Sequence, residues 1–332
     1  MLYINDSCTD PHWNLAAEEY LLKNFTEPIF RLWRNDSSII IGQYQNAVAE
    51  IDTTYVKENG IKVVRRLTGG GAVFHDLGNL NYSFFEDRKP GEDASAMFKR
   101  FTAPIIEALN AIGVKAYLHG RNDLLIEGRK FSGNAVCIHK NRILQHGTLL
   151  FNASMNNLGA ALKSRPEKFI GKAVQSNRSR VTNISEHIPK KGCPVTDIIS
   201  FKEYLAEYIS SRYNITPYTY TPEDLQAIEK LRAEKYSLAE WNFGKSPAYS
   251  YSKTCKFTGG LVEIFMNVQK GKIEELQING DYFFTRPTEE FIAAITGTPH
   301  TTEAINSALE KLDINAYFNN ITKEEISTLF FQ

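Results

Sequence analysis

Arg65-Arg66-Leu67-Thr68-Gly69-Gly70-Gly71-Ala72-Val73-Phe74-His75-Asp76 is the stretch on which the reading of this chain turns. A β-branched run, Ile61 to Val64, leads into two arginines, a hydroxyl and three consecutive glycines, and a second apolar run follows. Adjacent glycines cost backbone entropy, so a fold that keeps three needs positive φ there or a ligand lying against bare main chain. Guanidinium groups beside such a turn supply fixed charge and forked donors for carboxylate or phosphate. The stretch therefore reads as strand–loop–strand, with backbone N–H groups cradling an anion. No G-x-x-x-x-G-K-[ST] is present, and the spacing is not G-x-G-x-x-G before a helix, so neither the P-loop nor the dinucleotide fingerprint applies.

Outward from this loop the elements are short and mixed. Helical spacing marks 12–25, with Asp10 as its cap and Pro11 in its first turn, and 94–112, which Gly113 stops. Strands are expected at 28–33 and 38–41 about the turn 34–37, then at 61–66, 72–75 and 81–86. Further strands read at 115–118, 123–126, 130–135 and 142–151, with helices at 155–161, 195–213 and 222–236. The segment 164–179 reads as a polar loop. Strands without a regular βαβ rhythm indicate an α+β fold with a mixed or antiparallel sheet. Trp241 to Pro247 reads as a boundary. It divides the chain into a larger unit, 1–244, and a small α/β unit, 248–332, with a hinge near Gly244 to Pro247.

Composition narrows the classes. The 332 residues carry 38 Lys plus Arg against 38 Asp plus Glu, and this balance argues against binding nucleic acid by bulk charge. Cys8, Cys137, Cys193 and Cys255 are scattered, with no metal-ligand spacing, and fit a reducing cytoplasm. No signal-peptide pattern is visible at the first residues, and no apolar run is long enough to span a membrane.

Two further segments match the glycine loop in character: Gly120 to Ala135, and Gln145 to Phe151. Strand alternation puts Lys130, Ser132 and Asn134 on one face, and Asp123 is a hard oxygen donor suited to Mg²⁺. Taken in order, Arg65–Asn79, Gly120–Leu124, Arg129–Ala135, His146–Leu150 and Ser179–Ile184 closely resemble the motifs of the lipoate–protein ligases. That resemblance implies a catalytic domain with the biotin-ligase-like fold of class II aminoacyl-tRNA synthetases, plus a small accessory domain. It also implies ATP, Mg²⁺ and lipoate as ligands and a lipoyl-AMP intermediate.

The same resemblance assigns roles. Gly69, Gly70 and Gly71 would let main-chain amides reach the phosphates and the lipoate carboxylate, with Arg66 and Thr68 adding contacts to anionic oxygens. Val73 and Phe74 would form the adenine pocket, and His75 would line the site near the dithiolane or phosphate. Asn122 and Asp123 would hold phosphate and Mg²⁺, and Lys130 would bridge the acyl oxygen and the α-phosphate. Trp33, Ala135, His146 and Thr148 would line the lipoyl tunnel, and a loop carrying Lys172, Arg178 and Arg180 would close over the adenylate. The partners implied are lipoyl acceptor domains, such as the glycine-cleavage H protein and the acyltransferase subunits of oxoacid dehydrogenases. The reading favours a cytoplasmic monomer that binds neither nucleic acid nor membrane.

Three rivals stand beside this reading. An octanoyl or lipoyl transferase of the same fold would use a cysteine, and Cys137 lies two residues past Ala135. A biotin ligase fits Arg129 to Gly133 less well. A non-catalytic lipoyl-binding module would have no need of both Asp123 and Lys130.

Overall fold

The computed structural model describes residues 1–154, 162, 169–171, 181–246, 248–282 and 285–331. Its strands, in chain order, are Leu2–Asn5 (β1), Ile29–Trp33 (β2), Ser38–Ile41 (β3), Lys62–Arg65 (β4), Val73–His75 (β5), Asn79–Asp87 (β6), Ala116–His119 (β7), Asp123–Ile126 (β8), Arg129–His139 (β9), Arg142–Leu150 (β10), Phe169–Gly171 (β11), Thr216–Pro217 (β12), Tyr249–Phe257 (β13), Gly260–Gln269 (β14) and Lys272–Gly280 (β15).

Eight of these form one sheet in the order β12-β1-β2-β6-β10-β9-β8-β7. The pairs β12·β1 and β1·β2 are parallel, and the others are antiparallel. This is the expected mixed sheet of an α+β fold. A three-stranded sheet, β4-β3-β5, carries the glycine loop between β4 and β5. Both strands expected in 28–41 are present, and although β2 and β3 follow one another in sequence they belong to different sheets. Their turn is therefore a sheet-to-sheet crossing, not a hairpin.

The helix Ala94–Ala111 packs Met97, Phe101, Ile105 and Leu109 against the large sheet. Side chains of this size contribute about 1.5–3 kcal/mol each when fully buried. Asp93 caps it by accepting from the Ala96 amide, and Gly113, at φ +86°, lets the chain leave it. The helix Pro11–Asn24 begins beside Asp10, but the Asp10 side chain makes no capping bond. Its carboxylate instead meets Arg232, Lys62 and His12, and these partners hold it ionised against the cost of burial.

The region 248–331 builds its own core. Strands β13, β14 and β15 form an antiparallel sheet with β11 on its edge, and the helices Thr288–Ile295, Thr302–Leu309 and Lys323–Leu329 cover it. The stretch read as a boundary is anchored rather than free. Trp241 and Asn242 are buried, and the Trp241 indole donates to the Arg65 carbonyl at 2.8 Å. Pro247 and the helix expected at 155–161 lie outside the described residues.

Candidate active site

The glycine turn is shaped by the two arginines that precede it. Successive side chains of a strand point to opposite faces, so Arg65 and Arg66 take different tasks. Arg66, almost fully buried, donates from Nε to Thr68 Oγ1 (2.8 Å) and from Nη1 to the Ile40 carbonyl (3.0 Å). Its Nη2 reaches the carbonyls of Gly69 (2.7 Å) and Gly71 (2.8 Å). It thus holds the loop carbonyls of Gly69 and Gly71 toward its own guanidinium group. Gly70 lies at φ +91°, a conformation that favours glycine.

Arg65 points away and ties the strap 42–46 to the segment 241–246. It bonds the carbonyls of Gly42 and Gln45 (2.8 Å each), the Asn242 carbonyl (2.9 Å) and Ser246 Oγ (3.0 Å). A Cβ on Gly42 would stand 2.1 Å from the Gly70 carbonyl oxygen, so only glycine allows the strap to seat the turn. Burial pulls both guanidinium groups down to about 10, which still leaves them charged at neutral pH.

Strands β8, β9 and β10 supply the opposite wall. Lys130 Nζ lies 2.8 Å from Asp123 Oδ1, and both side chains are about one-quarter exposed. Asn122 Nδ2 donates to the Asn134 carbonyl (2.6 Å), and Asn134 Nδ2 donates to the Asn122 carbonyl (3.1 Å). These bonds lock the hairpin that presents the ion pair. A register shift at Leu124/Leu125 accompanies Lys130's place on the cavity side with Ser132 and Asn134. Gly147 makes room: a Cβ there would come within 2.2 Å of Asn134 Oδ1.

A buried polar network forms the floor. His146 Nδ1 is 3.0 Å from both Glu18 oxygens, and its Nε2 is 2.8 Å from Thr68 Oγ1. Glu18 also accepts from Ser83 Oγ (2.6 Å), and Ser83 accepts from Trp33 Nε1 (2.8 Å). Burial alone would raise the Glu18 carboxyl, but His146, Ser83 and Arg31 together hold it below its usual range. Burial, with Arg66 and His146 nearby, pushes His75 down to about 3, so its ring is neutral.

These walls enclose a cavity of about 420 Å³. Gly70, Gly71, Val73, Phe74 and His75 line it from the loop side. Asn122, Asp123, Lys130, Ala135, His146, Thr148 and Trp33 also line it. Thr68 and Gly69 are not in the wall, because Arg66 draws Thr68 Oγ1 and the Gly69 carbonyl toward itself. Lys172, Arg178 and Arg180 lie outside the described residues. The sequence reading missed Leu15, Ile40 and Asn81 as lining residues, and it missed Glu18 beneath them.

One carboxylate at the mouth is a poor cage for a metal by itself. Among the described residues no group of three His, Cys, Asp or Glu side chains is placed to hold an ion. A lone carboxylate such as Asp123 would suit Mg²⁺ only where a bound ligand's oxygens and water complete the shell. Cys137 pairs with Leu144 across the ladder and is absent from the cavity wall. Burial first, then Glu18 and Glu19, pushes its thiol up, opposite to what a nucleophile needs.

Comparison with known proteins agrees along the whole chain. Residues 10–210 match the lipoyl protein ligase A/B catalytic domain, and residues 246–330 match the bacterial lipoate protein ligase C-terminus. The lipoate-protein ligase LplJ of Bacillus subtilis is 41% identical over 337 residues, covering 100% of both chains. A crystal structure of lipoate-protein ligase A bound with ATP superimposes with TM-score 0.62 at 28% identity, covering 74% of this chain and all of that one. The T. acidophilum protein Ta0514 with bound lipoic acid gives TM-score 0.61 at 28% identity over 73% of this chain and 98% of its own.

Proposed function

This chain belongs to the lipoate–protein ligase family, and from that premise we propose that it activates lipoate with ATP and passes the lipoyl group to a lysine of an acceptor domain. It is a ligase enzyme by that membership. The observation that carries the finer reading is the single cavity in which the Gly70–Gly71 turn faces the Asp123–Lys130 pair, with Trp33, Ile40 and Leu15 forming an apolar end.

In the first step a lipoate carboxylate oxygen attacks the α-phosphorus, the bond to the bridging oxygen breaks, and pyrophosphate leaves. In the second, the acceptor amine attacks the acyl carbon, the acyl–oxygen bond breaks, and AMP leaves with that electron pair as the amine sheds a proton. Neither step needs a protein nucleophile; both need charge stabilisation and positioning. The Gly70 and Gly71 amides receive anionic oxygens on a turn that Arg66 holds. Lys130 sits where an ammonium can serve first the α-phosphate and then the acyl oxygen as charge moves between them. Asn122 holds the hairpin and meets phosphate, and Val73 and Phe74 take the adenine. Ala135, Thr148, His146 and Trp33 enclose the lipoyl chain, whose burial contributes about 0.8 kcal/mol per methylene. Mg²⁺, bound by Asp123 and phosphate oxygens, would neutralise the polyphosphate.

The reading extends to lipoyl domains of the H protein and of oxoacid dehydrogenases as acceptors, to a cytoplasmic monomer, and to a division of the chain into 1–244 and 248–332. Lipoate-dependent ATP–pyrophosphate exchange tests the first step, and a mass increase of one lipoyl group on an added lipoyl domain tests the second. Exchange without lipoate, or ATP-independent transfer abolished in Cys137→Ser, would contradict it.

A further inference from the structure

Two chains of buried amides end on one imidazole. Arg31, which carries only donors, gives Nε to Asp6 Oδ2 (2.6 Å), Nη1 to the Asn14 carbonyl (3.0 Å) and Nη2 to Asn14 Oδ1 (2.5 Å). That contact fixes which end of the Asn14 amide is oxygen. Asn14 Nδ2 then donates to Asn35 Oδ1 (2.9 Å), and Asn35 turns its Nδ2 toward His75 Nδ1 (3.1 Å). From the other side, Asn79 Nδ2 donates to Asn81 Oδ1 (2.9 Å), and the Asn81 Nδ2 faces the same His75 Nδ1 (3.5 Å). A ring nitrogen that meets two donors holds its lone pair there, so the proton is on Nε2. Nε2 is buried and has no partner among the described residues, while the ring is part of the cavity wall. An unmatched buried N–H is costly, and an acceptor on a bound ligand removes that cost.

The sheet register relates the ring to the ammonium. Asn81 pairs with Thr148 across β6 and β10, and Thr148 Oγ1 accepts from the Gly133 amide on β9 at 3.2 Å. A Cβ on Gly133 would stand 3.1 Å from Lys130 Nζ. One row across the sheet therefore links Asn81, which meets the ring at Nδ1, to Gly133 beside the ammonium. His75 itself is 3% exposed, far deeper than the ion pair at the mouth, where polyphosphate belongs.

We propose that His75 is a fixed, uncharged donor whose Nε2–H binds the carboxylate oxygen of lipoate and holds it as the acyl carbonyl oxygen after activation, with Arg31, Asn14 and Asn35 as positioning residues that set its tautomer. The inference rests on the cavity being a lipoate and ATP site. Its depressed basicity keeps the donor neutral beside Arg66, where a second cation would be repelled.

The test uses the full chain. In protein labelled with ¹⁵N-histidine, long-range proton–nitrogen correlation should show His75 protonated on Nε2 throughout the neutral range, with that proton moving when lipoate is added. In ATP–pyrophosphate exchange, His75→Phe should raise the KM for lipoate by about tenfold or more and leave the KM for ATP within about twofold. His75→Gln, whose amide nitrogen reaches to the place of Nε2, should restore most of the loss. Asn35→Asp sets an acceptor against Nδ1, draws a proton there and should make exchange depend on pH in the neutral range, unlike wild type. The charged or titratable groups facing the ring are Arg66 and His146, with Glu18 behind His146, and the Asn35→Asp substitution leaves them unchanged. An Nδ1–H ring in wild type, a loss in His75→Phe confined to ATP, or an unaltered pH profile in Asn35→Asp would overturn the proposal. Wild type lacking lipoate-dependent exchange would overturn the ligase reading itself, whereas normal wild type with unimpaired His75→Phe overturns this inference alone.

Discussion

The two ends of this chain fill their interiors differently. Between residues 249 and 331 the core is apolar, and among the described residues only His300 and Thr301 are buried polar side chains there. Around the cavity the interior holds Arg31, Arg65, Arg66, Glu18, His75, Asn134 and His146. Buried charges and amides contribute less to stability than well-packed hydrocarbon and are costly when unpaired. Their concentration around the cavity sets the two regions apart. It also predicts that damage to the two regions will look different: lost turnover in one, lost stability in the other.

Lys130→Ala should give the largest effect. Removing a cation aimed at developing charge costs roughly two to three orders of magnitude in pyrophosphate exchange. Thermal unfolding should barely move, because a partly exposed ion pair contributes little to stability. Phe318→Ala should do the reverse. Phe318 is fully buried against Phe291 and Tyr282, and its truncation should cost about 3–5 kcal/mol by denaturant titration. Exchange per folded molecule should stay near wild type; a parallel loss of both would erase the contrast.

Acid sharpens the comparison, because each region holds an imidazole whose basicity burial lowers. Burial lowers His75 to about 3 and His300 to about 4, the latter despite its bond to the Phe330 carbonyl. In the unfolded chain both titrate near about 6.5. The unfolded state therefore binds more protons as pH falls, so the stability these rings contribute is intact above about pH 6.5 and declines toward pH 4 and then pH 3. His75→Gln and His300→Gln should each flatten that decline by about one proton, read from denaturation midpoints between neutral and acid pH. Unchanged slopes would mean the rings are not held neutral. Cys137→Ser should have the smallest effect, with exchange and transfer both near wild type.

Much of the site was legible because its chemistry is local in sequence. Gly70, Gly71, His75, Asp123 and Lys130 sit in contiguous runs, and strand alternation gave the shared face of Lys130, Ser132 and Asn134. The supporting residues were not legible. Glu18 meets His146 across 128 residues, and Asn35 meets His75 across 40. Such pairings are set by sheet order and helix docking, which no motif encodes. Gly42 was equally hidden, since its necessity comes from one carbonyl of a loop that follows it in sequence.

The most direct test is a crystal structure with a non-hydrolysable lipoyl-adenylate mimic. The account predicts the mimic's acyl–phosphate linkage between the Gly70–Gly71 amides and Lys130 Nζ, each within hydrogen-bond distance, with the lipoyl chain directed toward Trp33. A bound mimic whose linkage leaves Lys130 turned to solvent and the turn amides without an acceptor would contradict it.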